Sequence, residues 1–154
     1  METRQEEEYV FYRMASGDML QAQYSLKQIA RYRRTDPRRA FFQQAVLSYC
    51  RPFKWCHGEC GKYRLNESFV PEEFHRLHKE LTGFRDQAFA HSDLTIRTPT
   101  LGKWRTAKGF IFPISFRGLR YDHLMNGTGP FRRLIDAVIS RIYQHTEELE
   151  AQLP

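Results

Sequence analysis

Pro71-Glu-Glu-Phe-His-Arg-Leu-His-Lys-Glu-Leu-Thr-Gly-Phe-Arg-Asp-Gln-Ala-Phe-Ala-His91 places Phe74, Leu77, Leu81, Phe84 and Ala88 at successive spacings of 3, 4, 3 and 4. An unbroken apolar seam at that period belongs to a helix with one face in a core. Pro71 starts it, because a first-turn position needs no backbone N–H.

Downstream, the period changes. Between Leu94 and Leu119, Phe110, Phe112, Ile114 and Phe116 alternate, and Gly102-Lys103 and Lys108-Gly109 signal turns, so a β-hairpin insertion is expected over about 94–120. Asn126-Gly-Thr-Gly-Pro130 breaks the chain again. Turn chemistry and a helix start explain that stretch without a phosphate-cradling role. A last amphipathic helix carries Phe131, Leu134, Ile135, Val138, Ile142 and Leu149.

Upstream of Pro71, residues 53–69 read as loop. A helix through Ala40, Phe41, Ala45, Val46, Tyr49 and Cys50 ends or kinks at Pro52, and Asp36-Pro37 opens it as N-cap and first residue. Before it, a short helix over 4–14 is expected to end near Gly17. Ser16 and Asp18 then cap a second run with Met19, Ala22, Leu26, Ile29 and Arg33 at helical spacing. The reading is all-α: an up-down bundle of four or five helices in a single domain, 1–154, with the hairpin inserted before the last helix.

Composition narrows the classes. With 154 residues and 41% apolar side chains, the chain can build a core without staples. Three cysteines are too few for a disulfide framework, the N-terminus lacks an apolar h-region, and no apolar run reaches membrane-spanning length. A cytoplasmic protein with no membrane partner is expected. Lys plus Arg outnumber Asp plus Glu by 24 to 18, and eighteen of the cations are Arg. Guanidinium forks suit phosphate or carboxylate partners; the alternative is a basic surface laced with salt bridges. Arg31, Arg33, Arg34, Arg38 and Arg39 form one candidate RNA-binding run. Trp104, between Lys103 and Arg105, is a candidate for stacking an unpaired base, or else a lid on the bundle.

The chemistry concentrates at the end of the seam helix. At about 100° per residue, Arg85 falls roughly 60° to one side of the seam and His91 roughly 60° to the other, while Asp86 projects away from it. A guanidinium and an imidazole at the edges of a buried stripe can hold a phosphate and move protons near neutral pH. Equally, such residues serve as a helix-end tether.

Arg85-Asp86, four residues and then His91 resemble the Arg-x(4–6)-His signature of the HEPN superfamily. The wording Phe-Arg-Asp-Gln-Ala-Phe-Ala-His-Ser-Asp93 is especially similar to its abortive-infection branch, as is Tyr49-Cys-Arg-Pro-Phe53 at a helix end. The resemblance implies a homodimeric helical bundle acting as a metal-independent endoribonuclease in a defence or toxin-like role. It requires no cofactor and brings a possible cognate antitoxin protein. It further implies that Arg85 clamps the scissile phosphate and His91 transfers protons, with Asp86, Ser92 and Asp93 in support. Asp93 departs from the Tyr common in the toxin branch, and a carboxylate there must orient His91 or be neutralised by an Arg. The alternative is a non-catalytic dimeric module of the same type that binds a protein partner or a nucleotide.

Cys56-His57-x-x-Cys60, with His75 and His78, is the only zinc-like grouping. Its cysteines are separated by three residues without a second pair, so free thiols and no metal are expected.

Overall fold

A capping box starts the first helix. The Thr3 hydroxyl accepts from the Glu6 amide at 3.2 Å, and the Glu6 carboxylate accepts from the Thr3 amide at 3.0 Å. The structure, a computed structural model, describes residues 3–86, 99–116 and 121–153. Helix α1 (Arg4–Ile29) runs straight through Gly17, where two helices were expected. The reason is the seam Phe11, Ala15, Met19, Ala22, Leu26 and Ile29, all buried and at unbroken spacings of 4 and 3. Keeping that face in register outweighs the roughly 1 kcal/mol that a mid-helix Gly costs relative to Ala.

Helix α2 (Thr35–Cys50) starts two residues earlier than expected. Arg34 is the N-cap, and Asp36 lies inside the first turn, where its charge suits the helix dipole. Its buried face is Phe42, Ala45, Val46, Tyr49 and Cys50. Phe41, expected in that seam, is only partly buried and stacks on Tyr32 at 5.4 Å. Pro52 stops the helix in a 3-10 turn, Arg51–Phe53.

The stretch expected as loop contains a small antiparallel pair, β1 (Cys56–His57) with β2 (Lys62–Tyr63). It is pinned to the start of α1. The buried Glu7 carboxylate accepts the amides of Glu59 at 2.6 Å and Cys60 at 2.9 Å, and Tyr63 stacks on Phe11. Only Gly fits at 58, since a Cβ there would run into the Glu7 carboxyl. Desolvation pushes that carboxyl up. The hydrogen bonds from Tyr63 and from the amides of Glu59, Cys60 and Gly61 outweigh it, leaving Glu7 below the ordinary carboxylate range. Stability from Glu7 is therefore present above the ordinary pKa and lost as pH falls through the lowered one. Between about pH 6 and pH 3 the thermal midpoint should drop more steeply for wild type than for Glu7→Gln. Parallel slopes by circular dichroism would refute this.

Helix α3 (His75–Phe84) follows a 3-10 turn capped by Pro71, as the seam predicts. Leu81 is fully buried, and Leu77, Phe74 and Phe84 pack against the core. A short α4 (Asp122–Asn126) leads into α5 (Gly129–Glu150), whose buried face carries the six expected apolar residues. Tyr9 near the start of α1 donates to Glu150 at the end of α5, and Gln23 bonds Asp136, so these two helices run antiparallel. Tyr121 stacks on Phe42 and meets Phe84 edge-on, while His78 meets Tyr49. Helix α3 therefore packs against α2 through His78 and Tyr49, with Tyr121 filling the space between Phe42 and Phe84. The chain is mostly helical, with its helices packed around a shared apolar core.

The alternating segment forms a two-stranded ribbon. Strand β3 (Pro99–Leu101) pairs with β6 (Ile114–Phe116), and β4 (Trp104–Thr106) pairs with β5 (Gly109–Ile111). Both ladders share one register, and the Gly102 amide donates to the Pro113 carbonyl between them at 2.8 Å. Gly109 closes the turn at a φ of 127°, open only to glycine at little strain.

Candidate functional site

Residues far apart in sequence meet at the C-terminal end of α3. Lys54, in the turn after α2, donates from Nζ to Asp86 Oδ2 at 2.6 Å. Arg85 Nη1 donates to Asp86 Oδ1 at 2.7 Å. One carboxylate thus anchors two cations, which leaves a local excess of positive charge. Desolvation pushes the Asp86 carboxyl up, but Lys54 and Arg85 more than offset it and hold the group below its usual range. Arg85 remains partly exposed, and one nitrogen of its fork is committed to Asp86.

Beside this triad opens a cleft of about 400 Å³, lined by Phe53, Lys54, Arg64, Leu65, Asn66, Glu67, His78, Thr82 and Asp86. Three of these, His78, Thr82 and Asp86, recur at i, i+4 and i+8, so one polar stripe of α3 forms a wall. Arg64 is held across the Trp55 ring, 4.5 Å from its centroid. The buried His78 shares a 2.7 Å hydrogen bond between its Nδ1 and the Tyr49 hydroxyl, and Phe53 meets its ring edge-on at 4.6 Å. Burial pushes the His78 pKa down, so this imidazole is neutral at pH 7. Burial, reinforced by the charge of Asp86, pushes the neighbouring Cys50 thiol up to about 12, which leaves it unreactive. Tyr49→Phe strands the buried His78 Nδ1 and should cost about 1–3 kcal/mol in denaturant unfolding. An unchanged midpoint would show that the bond contributes nothing.

Of the residues singled out from the sequence, Arg85 and Asp86 are in this site, while His91, Ser92 and Asp93 lie outside the described residues. Lys54 and Arg64 were not singled out, and Tyr49 and His78 were read only as part of a helix end and of a zinc-like grouping. The i, i+4, i+8 polar stripe was a legible signal for His78. Nothing local marks Lys54, which reaches Asp86 across 32 residues.

The arginine run lies elsewhere, at the α1–α2 turn. Arg31, Arg33, Arg34 and Arg39 are exposed, and Arg38 bonds the Asn126 side chain at 2.9 Å. Among the described residues none of the five forms an ion pair with an acid. Trp104 is 63% exposed and lids nothing. Strand alternation sets it on the face opposite Lys103 and Arg105. Cys56 and Cys60 are exposed, His75 bonds the Val70 carbonyl, and His78 is taken by Tyr49. Among the described residues no three His, Cys, Asp or Glu side chains gather to hold a metal ion, and no helix is long and apolar enough to cross a membrane. No family model, curated protein or solved structure matches this chain.

Proposed function

We propose that this protein is a metal-independent endoribonuclease of HEPN type, a homodimer acting in the cytoplasm in a defence or toxin-like role, with an antitoxin protein as its partner. One observation carries the reading. The guanidinium of Arg85 is held at the end of α3 by Asp86, which Lys54 anchors in turn, and it is partly exposed near a polar cleft carrying further cationic and hydrogen-bonding groups. That is where the Arg…His resemblance needs a phosphate clamp.

In the reaction, the RNA's own 2′-hydroxyl attacks phosphorus. The new O2′–P bond forms as the P–O5′ bond breaks. His91 takes the 2′ proton and returns it to the departing 5′ oxygen, or performs one of these two transfers while water performs the other. Arg85 stabilises the charge that builds on the phosphorane oxygens. The products are a 2′,3′-cyclic phosphate and a 5′-hydroxyl. The test is cleavage of a labelled RNA in the presence of chelator. Cyclic-phosphate ends are expected, with no cut where the sugar is 2′-deoxy. Linear phosphate ends, or cleavage of the deoxy substrate, would overturn the mechanism.

A specific observation favours the second reading, a non-catalytic dimeric module. Lys54, Asp86 and Arg85 already form a closed ion network that ties the end of α3 to the turn after α2. On that reading Arg85 is a tether, and purified protein cleaves no RNA.

A further inference from the structure

We propose that the ribbon at 99–116 is a docking surface for single-stranded RNA, with Phe110 and Phe112 as the stacking platform and Lys103 and Arg105 as the phosphate contacts. The proposal rests on the ribonuclease reading only in naming RNA as the nucleic acid.

The argument starts from the register. Leu101 lies opposite Ile114, Trp104 opposite Ile111, and Arg105 opposite Phe110. The same register carried through the middle sets Lys103 opposite Phe112. Directly opposed residues share a face, and faces alternate along each strand. One face therefore bears Leu101, Lys103 and Arg105 from one strand and Phe110, Phe112 and Ile114 from the other. Two contacts support this assignment independently. Lys103 Nζ sits 4.3 Å from the centre of the Phe110 ring, its diagonal neighbour on that face. On the opposite face, the nearest atoms to a Cβ built on Gly102 belong to Pro113 and Trp104.

Phe110 and Phe112 are 54% and 56% exposed, and Leu101 and Ile114 are exposed too. Apolar side chains left exposed together on one face are a feature of interaction sites. Charge selects the occupant. Residues 99–116 contain Lys103, Arg105 and Lys108 and not one acid. Ribbon-on-ribbon pairing with a second copy would set cation against cation. A membrane-surface element separates its charged face from its apolar one. Here the cations of one strand lie opposite the aromatics of the other on a single face, and Trp104 and Ile111 occupy the other face. Rings flanked by cations suit an unpaired strand, whose bases stack while its phosphates are neutralised.

The experiment is fluorescence anisotropy of the full chain with a labelled 2′-O-methyl oligouridine, which binds but resists cleavage. The double variant Phe110→Ala/Phe112→Ala is expected to weaken binding at least about tenfold. Lys103→Gln/Arg105→Gln is expected to lower the slope of log affinity on log salt by about 1.4, at roughly 0.7 per single-strand contact. All four side chains are exposed, so circular dichroism should show both variants folded. Binding by either double variant within twofold of wild type overturns the proposal. So does a wild-type chain that ignores the oligonucleotide and binds vesicles containing phosphatidylserine, or self-associates through the ribbon. Cleavage of unmodified RNA is scored separately. Ribbon-dependent binding without cleavage removes the ribonuclease reading and leaves the docking surface standing.

Discussion

His91→Ala is expected to abolish RNA cleavage, and Arg85→Ala to do the same, each in a chain that keeps its helical fold. Loss of a general acid–base group typically costs about 10²–10⁴ in rate. Loss of a donor aimed at developing phosphorane charge costs about 10²–10³. Arg85→Lys should rescue little, because a point charge does not reproduce the fork once one nitrogen bonds Asp86 and the rest face a phosphate. The fold survives Arg85→Ala because the pair it loses is partly exposed and worth at most about 1 kcal/mol, and Lys54 stays on Asp86. Product analysis on labelled RNA, alongside a thermal melt of each variant, reads both halves. If His91→Ala cleaves as fast as wild type, the enzyme reading fails and the non-catalytic module takes its place.

Phe42→Ala should cost about 3–5 kcal/mol of stability, the range for emptying a fully buried aromatic site. Phe42 has no exposed surface. It stacks on Tyr121 at 5.0 Å and meets Phe131 edge-on at 6.4 Å, so one ring joins α2 to α5 and to the residue that leads into α4. Neither neighbour can close the void without leaving its own packing. By contrast, Phe41→Ala removes a ring that is only partly buried and stacked on the exposed Tyr32, and should cost clearly less. Urea titrations of the two variants give the comparison. Equal losses would mean that the core does not discriminate between adjacent phenylalanines.

That pair of residues shows where reading the chain stops. Phe41 and Phe42 both fit a helical period leading to Ala45, so spacing alone does not choose between them. Tyr121, 79 residues on from Phe42, chooses. The same holds at Gly17, a plausible stop by local propensity. A continuous helix is decided there by the partners that cover Ala15, Met19 and Ala22 on both sides of the glycine.

The sequence by itself determined the elements whose patterns are local and strong. The seam from Phe74 to Phe84, the buried face of the last helix, the helix end at Pro52 and the alternating ribbon all follow from a 3.6 or 2.0 period plus turn chemistry, which act within a few residues. It also picked out Arg85 and Asp86, by their place on the shoulder and outer face of a helix. Only the tertiary structure decided that Lys54 reaches Asp86, that His78 is buried beside a cleft with its Nδ1 bonded to the Tyr49 hydroxyl, and that Trp104 stands in solvent away from the cations next to it in sequence. These depend on which helix packs on which and on strand register, and such long-range pairings leave no trace in local spacing because their energy comes from burial shared between distant segments.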